Sequence, residues 1–369
     1  MSIYALPNNS QAWQAALSQV AHILPDALHG CDLDNLEHCA QLGILPLFAI
    51  VVVTQDGAQV DTLMQSWTAT QANWQLITVC DDDAAKARAH KIDGGETVSN
   101  VGIYRYLLAP KVQTEMSSEK KTAAAHIIDE QISAHLALHI QADVHILSAE
   151  KMLTRHRLAC FDMDSTLIQE EVIVELAKFC GIEDKVSEIT EEAMRGEIDF
   201  ATSFARRVAL LADTPVSVVD EIIANHIHFQ PGAATAIKSL KALGYHTVLI
   251  SGGFEPFADY VARTLGMDEF YANPLINDGK VLTGTVADPI LDGIQKAAIA
   301  QKVAARLGLS MQEVVCIGDG ANDLPMMAVS DLGIAYHAKP IVQARASAAV
   351  NVTGLEGVLY ALGHRLDKA

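Results

Sequence analysis

The chain has 369 residues, 45 acidic against 26 basic side chains, a formal net charge of -19, and a half-hydrophobic composition. That length exceeds what one core covers, so two or three domains are expected, and so acidic a chain excludes nucleic acid and anionic membrane as partners. The longest apolar stretch, Leu45 to Val53, contains Pro46 and falls far short of the roughly 20 residues a bilayer needs; with no Lys or Arg before Lys86, no positively charged leader is expected, and a soluble cytoplasmic protein is.

Residues 1–43 carry no interpretable motif and form an extension of unknown role. A module over 44–150 follows. Leu47 to Thr54, Trp74 to Cys80, Val101 to Leu108 and Val144 to Leu147 have strand patterns, while Val60 to Trp67 and Ala123 to Leu138 have helical ones. The order is βαββαβ, a small α+β domain of ferredoxin-like type, with an exposed loop at Asp81 to Asn100.

The pattern over 155–369 alternates strand and helix. Strands are expected at Leu158 to Phe161, Tyr245 to Ile250, Val314 to Ile317, Leu332 to Ala335 and Ala349 to Val352, which predicts an α/β, Rossmann-like parallel sheet covered on both faces. Two departures stand out. Between the first strand and Pro231 the pattern is helical, with Val172 to Cys180 stopped by Gly181, a segment around Thr190 to Arg195, Phe200 to Leu211, and Val216 to Ala224. This predicts a helical cap inserted at about 170–230. Tyr271 to Val286 contains Asn277-Asp278-Gly279, which predicts a hairpin.

The six cysteines, Cys31, Cys39, Cys80, Cys160, Cys180 and Cys316, form no Cys-x-x-Cys pair and are expected to be reduced core thiols rather than zinc ligands.

Chemistry concentrates at three strand ends. Leu158 to Phe161 runs into Asp162-Met-Asp164-Ser-Thr, where one carboxylate can attack phosphorus while the other carries a proton. Alone, the pair is equally a solvated strand end. Ser251-Gly252-Gly253 follows a strand and offers backbone N–H groups that can approach phosphate oxygens, although such a tripeptide is by itself an ordinary turn. Gly318-Asp319-Gly-Ala-Asn322-Asp323 follows another and supplies hard oxygen donors of the kind that suit Mg²⁺, or helix-capping acids.

These three motifs with Lys296 between them resemble the haloacid dehalogenase superfamily of phosphohydrolases. Glu171-Val-Ile, Thr190-Glu-Glu-Ala-Met194-Arg-Gly196, Phe200, Arg207, Ser251-Gly-Gly-Phe254 and Asp319 to Pro325 narrow the resemblance, over about residues 155 to 365, to the branch that hydrolyses O-phosphoserine in the last step of serine biosynthesis. The resemblance implies a sequence of roles. Asp162 is the nucleophile and Asp164 the acid and base; Mg²⁺ is held by Asp162, the Asp164 carbonyl and Asp319, with Asp323 steering that shell. Ser251, Gly252, Lys296 and Asn322 bind the phosphoryl group; Glu171 meets the substrate ammonium, Arg207 its carboxylate, and Phe200 and Met194 exclude water. Each cap residue also has a plain reading as a surface charge or core residue. A related small-metabolite phosphatase or phosphotransferase is the neighbouring reading, and an amino-acid-sensing protein without catalysis the distant one. The βαββαβ module resembles the ACT-type ligand-binding fold, which implies a serine-like effector or, on structural grounds alone, a homodimer surface.

Overall fold

The computed structural model describes residues 48–55, 57–78, 101–110, 118–148, 151 and 156–364. The readings for residues 1–43 and the loop at 81–100 lie outside them, as do Cys31, Cys39 and Cys80. The chain divides into two compact units, one of residues 1–155 with 348–369 and one of 156–347. No helix among the described residues is long and apolar enough to cross a membrane.

In the first unit the elements are β1 (Phe48–Thr54), α1 (Val60–Ala69), β2 (Trp74–Thr78), β3 (Gly102–Pro110), α2 (Ser118–Ala137) and β4 (Ala142–Ser148). The expected βαββαβ order is present, as an antiparallel sheet ordered β2-β3-β1-β4. Period-two alternation sends Phe48, Ile50 and Val52 to one face, opposite Leu108, Tyr106 and Tyr104. There they meet Leu63, Met64 and Trp67 of α1 and Ile128, Ile132 and Leu136 of α2, the last three spaced one helical turn apart. Val51 and Val53 point the other way and pack with Tyr360 from the carboxyl-terminal helix Gly357–Ala361. Asp143, on the same face, accepts bonds of 2.8 Å from both Asn351 N and Val352 N.

The second unit runs β5 (Leu158–Phe161), α3 (Val172–Cys180), α4 (Glu183–Met194), α5 (Phe200–Ala209), α6 (Ser217–Asn225), α7 (Ala233–Ala242), β6 (His246–Phe254), α8 (Glu255–Leu265), β7 (Glu269–Asn273), α9 (Gly293–Arg306), β8 (Val314–Gly318), α10 (Leu324–Val329), β9 (Leu332–Tyr336) and α11 (Pro340–Gln343). Within it, parallel strands lie in the order β9-β8-β5-β6-β7. All four residues of β5 are buried, as a strand covered on both faces requires. The chain builds outward from β5 to β7 on one side, then crosses back to β8 on the other. This makes the carboxyl end of β5 a topological switch point, where such sheets bind ligands.

Helices α3 to α6 fill the stretch between β5 and Pro231 that the pattern assigned to a cap. Helix α3 ends where Gly181 takes the left-handed conformation at φ 65°, and α5 begins at Asp199, whose side chain accepts from Thr202 N at 2.7 Å.

Two local expectations need correction. Strand β6 does not end at Ile250 but continues through Ser251-Gly252-Gly253 to Phe254, with its register to β7 shifting between Ile250 and Phe254. The glycines let the backbone stay extended through the irregularity. The hairpin around Asn277 to Gly279 reduces to an isolated bridge, Asn277 to Leu282. Asn277 Oδ1 accepts from Gly279 N at 3.0 Å and Asp278 Oδ1 from Lys280 N and Val281 N at 2.9 Å, so side chains satisfy the turn that a ladder would otherwise have to hold.

Candidate active site

The order β8-β5-β6 brings the three strand-end motifs together. Asp162 continues the β5 ladder, its N–H donating to Ile317 O of β8 at 2.9 Å. Its Oδ1 accepts from Met163 N at 2.8 Å and from Lys296 Nζ at 2.6 Å, while Oδ2 takes no hydrogen bond among the described residues. Ser165 adopts φ 57°, the left-handed turn that redirects the chain after the second acid. Asp164 is thereby carried to the start of α3, where its Oδ1 accepts from Val172 N at 3.1 Å.

Lys296 reaches this point because α9 is capped by Asp292, whose Oδ1 accepts from Gln295 N at 2.8 Å. The Lys296 side chain is wholly buried, and its ammonium lies between Asp162 and Asp323, 2.7 Å from Asp323 Oδ1. Asp323 Oδ2 accepts from Gly320 N at 3.0 Å. Gly318 leaves room for this carboxylate, since a Cβ there would lie 2.3 Å from Asp323 Oδ2.

Asp162, Asp319 and Asp323 can each bring a carboxylate oxygen within 4.8 Å of the others. Burial first, then the charge of Asp323, pushes the Asp162 carboxyl well above the ordinary range, with Lys296 opposing. Burial works against the Lys296 ammonium, yet Asp162 and Asp323 hold its pKa above the usual lysine value. Asp319 is raised to about 7 by burial and by Asp323, and Asp164 to about 8 by burial and by Glu171. One buried ammonium is too little positive charge for four acids. A divalent cation bound by hard oxygen donors is what the cluster fits.

A cavity of about 650 Å³ opens over these residues and joins the sheet ends to the cap. Asp162, Asp164, Glu171, Phe200, Arg207, Gly252, Asp319 and Asn322 line it, whereas Ser251, Lys296 and Asp323 are fully buried behind it. Glu171 Oε1 accepts from Ser165 Oγ at 3.0 Å. Phe200 and Arg207 share a face of α5, as their spacing of seven residues implies, and Arg206 turns away to pair with Glu192. Among the described residues the Arg207 guanidinium makes only a long 3.4 Å bond to Ser203 O; burial lowers its pKa while Glu171 and Asp164 raise it. Met194 ends α4, and its side chain lies outside the described residues.

Several contributors had no role of their own in the sequence reading, although two of them stood inside its motifs. Gly253 also lines the cavity, and a Cβ on it would come within 2.9 Å of Asp164 Oδ2. Thr166, the last residue of Asp-x-Asp-Ser-Thr, is buried and donates to Asp319 Oδ1 at 3.4 Å. Asn273 donates to Gly252 O at 2.9 Å and accepts from Leu291 N at 2.8 Å, joining the glycine turn to the segment that leads into α9. The hydroxyl of Thr166 was visible in its motif; nothing local marks Asn273.

A Rossmann-like parallel sheet with a helical insertion after its first strand, and carboxylates gathered at the ends of β5 and β8, defines a haloacid dehalogenase-like hydrolase, and the model of that family matches residues 156–331. A probable phosphoserine phosphatase of Schizosaccharomyces pombe is 48% identical over 223 residues, 60% of this chain and 74% of that protein. The chain belongs to the phosphoserine phosphatase family of these hydrolases. The phosphoserine phosphatase of Streptomyces coelicolor is 46% identical over 228 residues, 62% of this chain, and the match spans just over half, 55%, of its own length. Among solved structures, a phospho-aspartyl intermediate analogue of phosphoserine phosphatase superimposes with a TM-score of 0.52 at 39% identity, covering 56% of this chain and 98% of that one.

Proposed function

We propose that the chain hydrolyses O-phospho-L-serine to L-serine and phosphate through an aspartyl phosphate on Asp162. The observation that carries this is the Asp162 carboxylate itself. One oxygen is tied to Lys296 and the Met163 amide, and the other is left to attack phosphorus. As the Oδ2–P bond forms and the bond from phosphorus to the serine oxygen breaks, Asp164 gives its proton to that oxygen. A carboxyl raised to about 8 holds such a proton at neutral pH. Asp164 then takes a proton from water as the water oxygen attacks phosphorus, which breaks the acyl phosphate bond and frees Asp162.

Lys296, Ser251, the Gly252 amide and Asn322 stabilise the phosphoryl oxygens, where negative charge accumulates. Asp162, the Asp164 carbonyl and Asp319 are the groups that would hold Mg²⁺, with Asp323 fixed behind them by Lys296 and Gly320. When bound, the ion would offset the repulsion between carboxylate and phosphate. In the cap wall, Arg207 pairs with the substrate carboxylate, Glu171 with its ammonium, and Phe200 and Met194 shield the reacting centre.

Phosphate release from phosphoserine, phosphothreonine and sugar phosphates, each with and without Mg²⁺, tests the assignment. Preference for phosphoserine is expected; equal rates on the sugar phosphates would defeat it. Free thiols at Cys160, Cys180 and Cys316 support a reducing, cytoplasmic setting. The ACT-like element order of the first unit supports an amino-acid effector or a homodimer role for it. Titration calorimetry of the whole chain with millimolar serine separates the two, and absence of heat removes the effector.

A further inference from the structure

The charged side chains lining the 650 Å³ cavity are Asp162, Asp164, Glu171, Asp319, Arg207 and Lys339. An entering phosphomonoester dianion therefore meets four acidic and two basic side chains on the walls, in a chain that is itself strongly acidic. The Lys296 ammonium lies at the bottom of the site, shared between two carboxylates, and presents no charge at the entrance. Arg207 is largely buried in the cap wall. Lys339 alone of these cations is exposed.

Its place is fixed by the backbone while its side chain is exposed. Lys339 stands immediately before α11, Pro340 sets the first helical residue, and the Lys339 carbonyl accepts from Val342 N at 2.9 Å and Gln343 N at 3.1 Å. Buried Val342 anchors the short helix from below. No carboxylate among the described residues pairs with the Lys339 ammonium, whereas Lys178 and Lys241 sit 2.6 and 2.7 Å from acids of their own. An unpaired, exposed cation beside acidic walls is suited to draw in an anion.

We infer that Lys339 is a substrate-capturing residue at the mouth of the cavity, which attracts the phosphoryl dianion and hands it to the groups at the strand ends. The inference rests on the phosphatase reading above. A solvated surface lysine is the ordinary alternative, and charge-reversal kinetics separates the two.

The test is kcat and KM for phosphoserine, with Mg²⁺ present, for the wild-type chain and the K339A, K339E and K339R variants at ionic strengths of about 0.05 and 0.5 M. The expected result is a rise in KM of roughly three- to tenfold for K339A and a larger one for K339E, with K339R near wild type and the effect on KM rather than kcat. Salt should shrink the difference between K339E and wild type, because the Debye length is only about 4 Å at the higher strength. A K339E enzyme with wild-type KM and wild-type salt dependence overturns the inference, as does a loss confined to kcat. If the wild-type chain itself fails to release phosphate from phosphoserine, it is the phosphatase reading that has failed, so the two failures are distinguishable.

Discussion

Replacing Lys296 by Met removes the one ammonium that faces both Asp162 and Asp323, at 2.6 and 2.7 Å. Each contact is worth about 6 kcal/mol of Coulomb attraction at an effective dielectric constant near 20. Desolvation of three fully or nearly fully buried charges offsets most of that, so the net value of the triad is small. Its disruption is another matter. Removing one partner of a buried pair strands the other charges and costs about 3–5 kcal/mol. For a unit of this size that is a fall in melting temperature on the order of 10 °C. Thermal unfolding should be followed in chelator, so that a bound cation does not mask the loss, for wild type, K296M, D323N and the double variant. With Asp323 neutralised, K296M should lose less, giving a coupling of about 2 kcal/mol or more in the cycle. A K296M chain that melts within about 2 °C of wild type, or strictly additive effects, would refute the claim that these contacts are a coupled buried triad. Activity alone cannot decide this, because each variant also disturbs the nucleophile.

Gly253→Ala places a methyl group where a Cβ meets Asp164 Oδ2 at 2.9 Å, and kcat for phosphoserine should fall on the order of 100-fold with the fold retained; near-normal turnover would show that the acid tolerates displacement. Arg207→Ala should raise KM for phosphoserine roughly 10- to 100-fold while sparing a simple aryl phosphate; an equal loss on both substrates would make Arg207 a stabilising residue instead. His145 in β4 is fully buried, and burial lowers its pKa from 6.5 to about 4. The neutral imidazole therefore contributes stability that is complete above pH 6.5 and lost as pH falls through 4, roughly 3 kcal/mol in all. The midpoint of denaturant unfolding followed from pH 7.5 to 4.5 should drop less steeply for His145→Gln than for wild type, and parallel slopes would show that His145 does not set the acid sensitivity of this unit.

The parts of the molecule legible in sequence are those dictated by near neighbours in the chain. Leu158 to Phe161 is an unbroken apolar run, and it is a strand buried on both faces. Gly181 marks a helix end because only a residue without Cβ takes the left-handed conformation there at no cost. Asp162, Ser251 and Asp319 could be grouped because each follows an apolar run that reads as a strand, and parallel strands carry such residues towards one edge, even though β6 itself runs on past Ser251. What required the fold was contact between distant segments. The length of α9 and its angle to β5 decide that Lys296 bridges Asp162 and Asp323 instead of lining the cavity. The continuation of β6 through Ser251 to Phe254 depends on what β7 offers alongside. Asn273 sits 21 residues beyond Gly252 and is joined to it by a single amide that no pattern announces.

The central claim is a covalent bond between phosphorus and one named side chain. Acid quenching during turnover of phosphoserine, followed by borohydride reduction and peptide mapping, converts an acyl phosphate at that side chain into homoserine. The account predicts homoserine at position 162 in the wild-type chain and none in Asp162→Asn. Reduction at a different carboxylate, or turnover with no reducible intermediate and undiminished rate in Asp162→Asn, would contradict it.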